Sequence, residues 1–364
     1  MDELPTITII TPTHNLIDNE LVDDFNILTT LLSRQSYPNI EHLIIDKASN
    51  DGTVQLLSDY KSKGYIQFYS EPDSGKFDAL NKGIMRAKGE FVAFLNPSDF
   101  IHDILAIEEI LANMEEMGAD YSFGSAYALH PEGYILPFEP AILNVFQVVP
   151  CALQAMVFKK SVLAAENYFD TKLRNMADFD LVMRLVMKEY GGILYDKNYV
   201  TYKISKDVVG NIEQVNNETS QVYVKNFRSI YPLTKEVVEK ITTVSEFPQD
   251  LLNKLSTYFP EESREDFFAA CEEMHQLRVR AYNEMNGIET EPEEGEAPEA
   301  GTPAEGEEPQ QPAQQPGMPP RPQMPGMPRP GMTPRPQMPG MSGQPMRQTN
   351  PQMPPRPHMP GMNQ

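Results

Sequence analysis

Residues 70–99, SEPDSGKFDALNKGIMRAKGEFVAFLNPSD, decide the fold predicted for this chain. A short run of β-type residues at 66–70 ends where this stretch begins, and a turn-rich loop follows at 71–75. Residues 78–87 have the apolar spacing of a short helix, and residues 91–95 form an apolar run that predicts a buried strand. A strand, a helix and a second strand in this order are typical of a βαβ unit.

The same alternation extends toward the N-terminus. Residues 6–11 and 41–46 predict two more buried strands, and residues 25–32 and 53–63 have helical spacing. The pattern therefore predicts an α/β fold with a mostly parallel central sheet flanked by helices. In such sheets ligands bind beyond the carboxyl ends of the strands, and each predicted strand of this chain ends in polar residues.

Further along the chain, the pattern continues with two helices and two strand segments. Residues 104–117 and 178–190 predict the helices, and residues 121–129 and 155–159 predict the strands. No G-x-G-x-x-G follows the first strand, and the chain contains no G-x-x-x-x-G-K-[ST]. A dinucleotide dehydrogenase and a P-loop enzyme are therefore disfavoured, and any nucleotide has to be held by side chains and a metal.

Composition divides the chain into three predicted parts. Residues 1–205 carry the α/β pattern, and residues 206–287 predict a helical extension that packs on it. Residues 288–364 predict a disordered tail, an acidic linker followed by Pro/Met/Gln/Gly-rich repeats such as PRPQMPGM, because so few apolar residues cannot offset the entropy of ordering the backbone. The sequence leaves open whether the tail is a solubilising spacer or binds a Pro-recognising partner.

The charge and the cysteines limit the partners and the compartment. A formal net charge of -22 repels nucleic acid and anionic headgroups, so we expect no nucleic-acid function. The 2 cysteines have no metal-like spacing and fit a reducing compartment. We find no signal-peptide pattern and no apolar run long enough to span a bilayer. We therefore expect a cytoplasmic protein, with peripheral contact at the inner face of the membrane left open.

Four segments carry a resemblance to a known family. They are TIITPTHN at 8–15, HLIIDKASNDGT at 42–53, the stretch 70–99 and NMADFDLVMRL at 175–185. In this order and spacing the set resembles the inverting glycosyltransferase family 2, and most closely bacterial members that build surface polysaccharides, over residues 6–203. The resemblance implies the GT-A nucleotide-diphospho-sugar transferase fold. It also implies transfer of one sugar from a UDP-linked or related donor to a glycan or lipid-linked acceptor.

The resemblance places the metal-binding acid at Asp99, just past the apolar strand. Mn²⁺ or Mg²⁺ would bridge the donor phosphates there, because these cations prefer oxygen ligands and often take only one or two carboxylates from the protein. Many relatives have two acids at this point, whereas this chain reads Asn96-Pro97-Ser98-Asp99. A helix-capping role is the alternative for this aspartate.

The resemblance assigns the acceptor side of the reaction to a different segment. Asp178 matches the acid that deprotonates the acceptor hydroxyl, and Asp180 is the second choice for that role. Because Asp178 opens a predicted helix, we expect the helix dipole to lower its pKa and keep it ionised. Gln154 matches a position near the acceptor.

Nine positions match residues that surround the nucleotide-sugar in relatives. For Asp46, the acid that ends the second predicted strand, the resemblance implies a hydrogen bond from the uracil ring. They are Thr11, Pro12, Asn15, Asp46, Asp73, Gly75, Asp78, Asn81 and Asn96. Turn and capping chemistry is the alternative explanation for several of them.

Two functions remain in competition on the sequence alone. The first is catalysis of sugar transfer in surface polysaccharide synthesis, which the ordered acids Asp46, Asp73, Asp99 and Asp178 favour. The second is a catalytically degenerate GT-A binding module whose tail recruits partners, which the missing metal-site acid and the unusual tail favour.

Overall fold

The computed structural model describes residues 4–204 and 211–288. The predicted tail therefore lies outside the described residues from position 289 onward, and so does the predicted boundary at position 205. The three-part division of the chain consequently stays a prediction.

Seven strands form the central sheet. They are β1 (Ile7–Thr13), β2 (Ile40–Asp46), β3 (Gln67–Ser70), β4 (Phe91–Phe94), β6 (Tyr121–Gly124), β9 (Met156–Lys159) and β10 (Gly192–Tyr195). Their order is β10-β6-β9-β4-β1-β2-β3. The pairings β4-β1, β1-β2, β2-β3 and β10-β6 are parallel, whereas β9 runs antiparallel to both of its neighbours. The predicted α/β class with a mostly parallel sheet is confirmed.

Four short strands form a second sheet. They are β5 (Phe100–Ile101), β7 (Ala126–Leu129), β8 (Ile135–Phe138) and β11 (Val200–Lys203), in the order β5-β11-β7-β8. The segment predicted as strand at 121–129 is therefore divided at Ser125, where the chain leaves one sheet for the other. Gly124 permits this close passage, since a Cβ atom there would lie 2.8 Å from the carbonyl oxygen of Tyr195.

Six helices alternate with these strands. They are α1 (Val22–Ser33), α2 (Thr53–Ser62), α3 (Lys76–Arg86), α4 (Ala106–Glu116), α5 (Lys160–Ala165) and α6 (Ala177–Met187). Helix α3 packs directly on β1 and β2. Gly83 makes this approach possible, because a Cβ atom there would lie 2.4 Å from Cγ2 of Ile10. The packing holds the first turn of α3 at the carboxyl edge of the sheet.

Four more helices follow: α7 (Ile212–Phe227), α8 (Lys235–Val244), α9 (Gln249–Ser256) and α10 (Arg264–Met285). Their apolar faces are buried in the same hydrophobic cluster as Phe179 of α6, and Ile241, Leu251 and Phe267 are fully buried there. In the structure these helices therefore lie against α6 of the α/β part. Within the described ranges, none of the helices combines the length and hydrophobicity that a membrane span requires.

Candidate active site

The carboxylate of Asp46 joins the ends of three neighbouring strands. One of its oxygens accepts hydrogen bonds from the hydroxyl groups of Thr13 (3.1 Å) and Ser49 (2.5 Å). The other accepts from the backbone amide of Ser49 (2.9 Å) and the hydroxyl of Ser70 (2.6 Å). A carboxylate offers about four acceptor positions, and donors of the chain occupy all of them. A uracil N–H could bind Asp46 only by replacing one of these donors.

The other predicted residues of the first loop have unequal access to ligand. Thr11 is fully buried, and its hydroxyl lies 3.0 Å from Nε2 of His42. Asn15 has a left-handed backbone (φ 46°), and its side chain exchanges hydrogen bonds with Asn50. Pro12 is half-buried. Of these three predicted positions, the structure therefore leaves Pro12 and Asn15 accessible and places Thr11 in the interior.

The loop before α3 is organised by its own acids. Asp73 accepts a hydrogen bond from the amide of Gly75 (2.9 Å), and its carboxylate lies 3.4 Å from the ammonium of Lys47. Gly75 has φ 143°, a left-handed value that favours glycine. Asp78 accepts from the amide of Ser74 (2.9 Å). The turn and capping roles considered as alternatives thus describe the observed contacts of both aspartates.

Asn81 lies on the buried face of α3. Its side-chain amide donates to the carbonyl of Phe169 (2.9 Å) and accepts from the amide of the same residue (3.0 Å). Both ends of the amide are therefore used to anchor the segment before α6, and the structure does not bring Asn81 into the cleft described next.

A cleft of about 700 Å³ opens at the carboxyl end of β4. Three predicted residues from separate segments line it together: Asn96 after β4, Gln154 in a single 3₁₀ turn, and Asp178 in the first turn of α6. The structure thus unites one predicted donor-side residue with two predicted acceptor-side residues. This is the arrangement that sugar transfer between two substrates requires.

Asp99 lies fully buried behind this cleft. One carboxylate oxygen accepts hydrogen bonds from the backbone amide (2.6 Å) and the side-chain amide (2.9 Å) of Asn96. The other has a long contact of 3.4 Å with the backbone amide of Lys203. Burial raises the pKa of Asp99 to about 6, against the lowering effects of the Asn96 hydrogen bond and the Lys76 charge. One oxygen of this carboxylate therefore has acceptor capacity to spare.

The described residues could hold a divalent cation through one carboxylate, with the remaining ligands coming from the donor. Among the residues that the structure describes, no group of three or more His, Cys, Asp or Glu side chains could hold a metal. Asp99, at the position that the resemblance gives the metal-binding acid, has one weakly engaged oxygen, so a cation held there would take its other ligands from the donor phosphates and water. Such sharing of ligands is common for Mg²⁺ in phosphate chemistry.

Asp178 is half-buried, and the amide of Phe179 donates to its carboxylate (2.8 Å). Burial raises the pKa of Asp178 above its ordinary value, although the charge of Lys76 and the hydrogen bond from Phe179 oppose the rise. The predicted lowering of this pKa by the helix dipole is therefore wrong. The desolvation of the carboxylate outweighs the dipole, because the cost of burying a charge exceeds the stabilisation that a helix end supplies.

Asp180, the second choice for the base, does not line the cleft. It is fully buried, and one of its oxygens lies 2.9 Å from both Nε of Arg184 and Nζ of Lys225. The side-chain amide of Asn226 donates to the other oxygen (3.1 Å). These contacts join α6 to α7, so Asp180 holds the two helices together.

Two basic residues of the cleft were missed by sequence reasoning. Lys76 begins α3 and Arg174 precedes α6, and both also line an adjoining cavity of about 310 Å³ together with Lys47. Within residues 4–204 and 211–288, neither Lys76 nor Arg174 forms a salt bridge. The signal in the sequence was that Lys76 directly follows Gly75 within residues 70–99 and that Arg174 directly precedes the motif at 175–185.

The α/β sheet thus gathers acids and cations in a cleft at its carboxyl edge. Residues 8–143 match the family model described as glycosyl transferase family 2. Over these residues the chain is similar to glycosyltransferase family 2, and the observed sheet agrees with the α/β fold class that the resemblance implied.

The chain is also similar to several known proteins. An uncharacterized glycosyltransferase of Mycobacterium tuberculosis is 29% identical over 194 residues, which are 51% of this chain and 71% of the relative. TuaG of Bacillus subtilis, which bears the name of a teichuronic acid biosynthesis glycosyltransferase, is 35% identical over 128 residues, 34% of this chain and 48% of the relative. The crystal structure of S. aureus TarS 1-349 in complex with UDP has a TM-score of 0.46 and 17% identity, over 78% of this chain and 91% of that one.

Proposed function

We propose that this glycosyltransferase moves a sugar from a UDP-linked or related nucleotide-sugar, with inversion, onto a glycan or lipid-linked acceptor in surface polysaccharide synthesis. The observation that carries the proposal is the cleft in which Asp178 shares one cavity with two cations, Lys76 and Arg174. The name of TuaG supports a polysaccharide product. Work at the inner face of the membrane, by a cytoplasmic protein, is part of the same proposal.

In this proposal, Lys76 and Arg174 stabilise the nucleotide diphosphate as it leaves. Negative charge grows on the leaving phosphate as the sugar bond breaks, and fixed cations in a partly desolvated cleft stabilise it without reorganising. Lys76 and Arg174 line the cleft, and so does Lys203, but Lys203 already forms a salt bridge with Asp24. Mn²⁺ or Mg²⁺, when held through Asp99, would supply further charge neutralisation on the phosphates. Asn96 would orient the donor beside this acid.

Asp178 accounts for activation of the acceptor. An inverting reaction needs a base on the face of the sugar opposite the leaving group, and Asp178 comes from a different segment than the donor-side residues. A carboxyl group whose pKa is raised by burial is a better proton acceptor than an ordinary aspartate, provided it is ionised at the working pH. Gln154 would orient the acceptor hydroxyl toward this carboxylate.

Titration calorimetry with UDP and Mn²⁺ tests the donor site. Wild-type protein is expected to bind UDP more tightly when Mn²⁺ is present, and Asp99→Ala is expected to lose that metal effect. Asp59→Ala, which changes an exposed aspartate of α2, is the matched control. Absence of UDP binding by the wild type would refute the donor assignment, and a metal effect unchanged in Asp99→Ala would refute the metal ligand.

The degenerate binding module remains a second candidate, favoured by the contacts of Asp46. All acceptor positions of that carboxylate are filled by the chain itself. A screen of nucleotide-sugars by thermal shift, followed by transfer assays with each stabilising donor, separates the two candidates. Stabilisation by a donor without any turnover would favour the binding module. A truncated chain ending at Gly287 that still transfers sugar would make the tail accessory.

A further inference from the structure

A buried carboxylate from the C-terminal helices lies at the start of the helix that carries the candidate base. Glu218 of α7 is 4% exposed. One of its oxygens accepts hydrogen bonds from the backbone amides of Asn175 (2.7 Å) and Met176 (3.1 Å). Its other oxygen accepts from the side chain of Gln214 (2.9 Å).

These contacts hold the two residues that lead into α6, Asn175 and the N-cap Met176. Met176 is the N-cap residue, and no side-chain hydrogen bond caps the helix from that position. The amides that open a helix need external acceptors, and a carboxylate there also interacts favourably with the helix dipole. Across the described residues, Glu218 has no salt bridge to a lysine or arginine, so its contacts are these amide donors.

We infer that Glu218 is a positioning residue for the candidate base: from α7 it fixes the first turn of α6, and its charge sets the electrostatic environment of the Asp178 carboxyl group. The inference rests on the proposed role of Asp178. It gives the C-terminal helices a part in catalysis, because they supply the residue that holds the base in place.

The electrostatics around Asp178 agree with this geometry. After burial and the opposing charge of Lys76, the charge of Glu218 is among the causes that raise the pKa of Asp178. The charged or titratable groups around the carboxyl come from the cleft walls and from α7. They are Lys76, Cys151, Arg174, Tyr202, Lys203 and Glu218. Burial raises the pKa of the Cys151 thiol to about 12, so that group stays neutral.

Glu166, the C-cap residue of α5, provides a matched control that contacts the same helix, α6. It is also buried, and it contacts the opposite end of α6 through Arg184 (3.1 Å) and Lys188 (2.9 Å). The variants Glu218→Gln and Glu166→Gln each remove one buried carboxylate that contacts α6. Only the first of these sites is next to the base.

The test is the titration of Asp178 in full-length protein carrying ¹³Cγ-labelled aspartate, with Asp178→Asn assigning the signal. Glu218→Gln is expected to lower the pKa of Asp178, because the substitution removes a like charge whose effect on that carboxyl is to raise its pKa. Glu166→Gln is expected to leave it unchanged. An unchanged titration in Glu218→Gln, or an equal shift in both variants, overturns the inference.

Kinetics then separate positioning from folding. In the transfer assay, the acidic limb of the kcat/KM profile is expected to move to lower pH in Glu218→Gln by the same amount as the titration. Glu218→Ala is expected to lower kcat by about 10- to 100-fold with donor affinity unchanged, as misplacement of a catalytic group does. A changed donor affinity with an unchanged kcat contradicts the inference. If no donor is turned over, the proposed function fails, and the titration still decides the role of Glu218.

Discussion

Lys76 at the start of α3 and Asp178 at the start of α6 line one cleft, although 102 positions separate them in the sequence. The lysine charge opposes the rise in pKa that burial imposes on the Asp178 carboxyl. The two residues therefore share an electrostatic environment, in which the proposed base and the proposed phosphate-binding cation influence each other. An anionic diphosphate placed at Lys76 would weaken this opposition and make Asp178 more basic when the donor is bound.

Asp178→Asn is expected to remove transfer while preserving donor binding. The amide keeps the shape of the side chain but cannot accept the acceptor proton, and general-base catalysis typically contributes about 10²- to 10⁴-fold. We expect kcat to fall within that range and the Kd for UDP to stay within about twofold in calorimetry. Full activity in Asp178→Asn would show that another group is the base.

Lys76→Met is expected to weaken UDP binding by about tenfold or more, the size of one charge-assisted hydrogen bond to phosphate. Uridine, which lacks the phosphates, is expected to bind wild type and variant equally. Lys88→Met, which changes an exposed lysine outside the cleft, is the control in the same calorimetric titration. Equal affinity of Lys76→Met and wild type for UDP would exclude a phosphate contact at this lysine.

Asp46→Asn is expected to destabilise the fold. Two of the four donors on this carboxylate would meet an NH₂ group in place of an oxygen, and a buried donor left without a partner costs about 1–3 kcal/mol. Urea denaturation measures the change in the free energy of unfolding. Unchanged stability together with lost UDP binding would instead identify Asp46 as a base-reading residue.

Because His42 is buried, we expect the free energy of unfolding to fall at acidic pH. Burial lowers its pKa from 6.5 to about 3, so between these values the unfolded chain binds a proton that the folded protein excludes. Stability is therefore lost as the pH falls below 6.5, by about 2 kcal/mol at pH 5 from this group. Urea denaturation gives the free energy of unfolding of His42→Gln and of wild type. We expect the value for the variant minus that for wild type to rise by about 2 kcal/mol when the pH is lowered from 7.5 to 5. A difference that does not change with pH would contradict a neutral buried histidine.

The sequence predicts the fold better than it predicts the site. Apolar runs such as residues 91–95 and amphipathic stretches such as 53–63 specify strand and helix locally, and both are observed as β4 and α2. The division at Ser125 was not predictable, because it depends on how Gly124 passes Tyr195 of a distant strand. Local pattern carries no information on such contacts.

The aspartates show which features of the site the sequence does not predict. The motif identifies Asp46, Asp73 and Asp78, yet each is engaged by donors of its own loop or strand neighbours. Asp178 was found from its motif, but the sign of its pKa shift depends on burial, which the sequence around it does not specify. The sequence around Lys76 and Arg174 does not predict that they share a cleft, because they meet only when the fold brings α3 and α6 together.

The most direct test of this account is a crystal structure of the protein in complex with UDP. The account predicts the diphosphate in the cleft of Asp178, with its oxygens within about 4 Å of the cationic groups of Lys76 and Arg174. UDP bound elsewhere on the protein, or bound with its phosphates turned away from both cations, would contradict it.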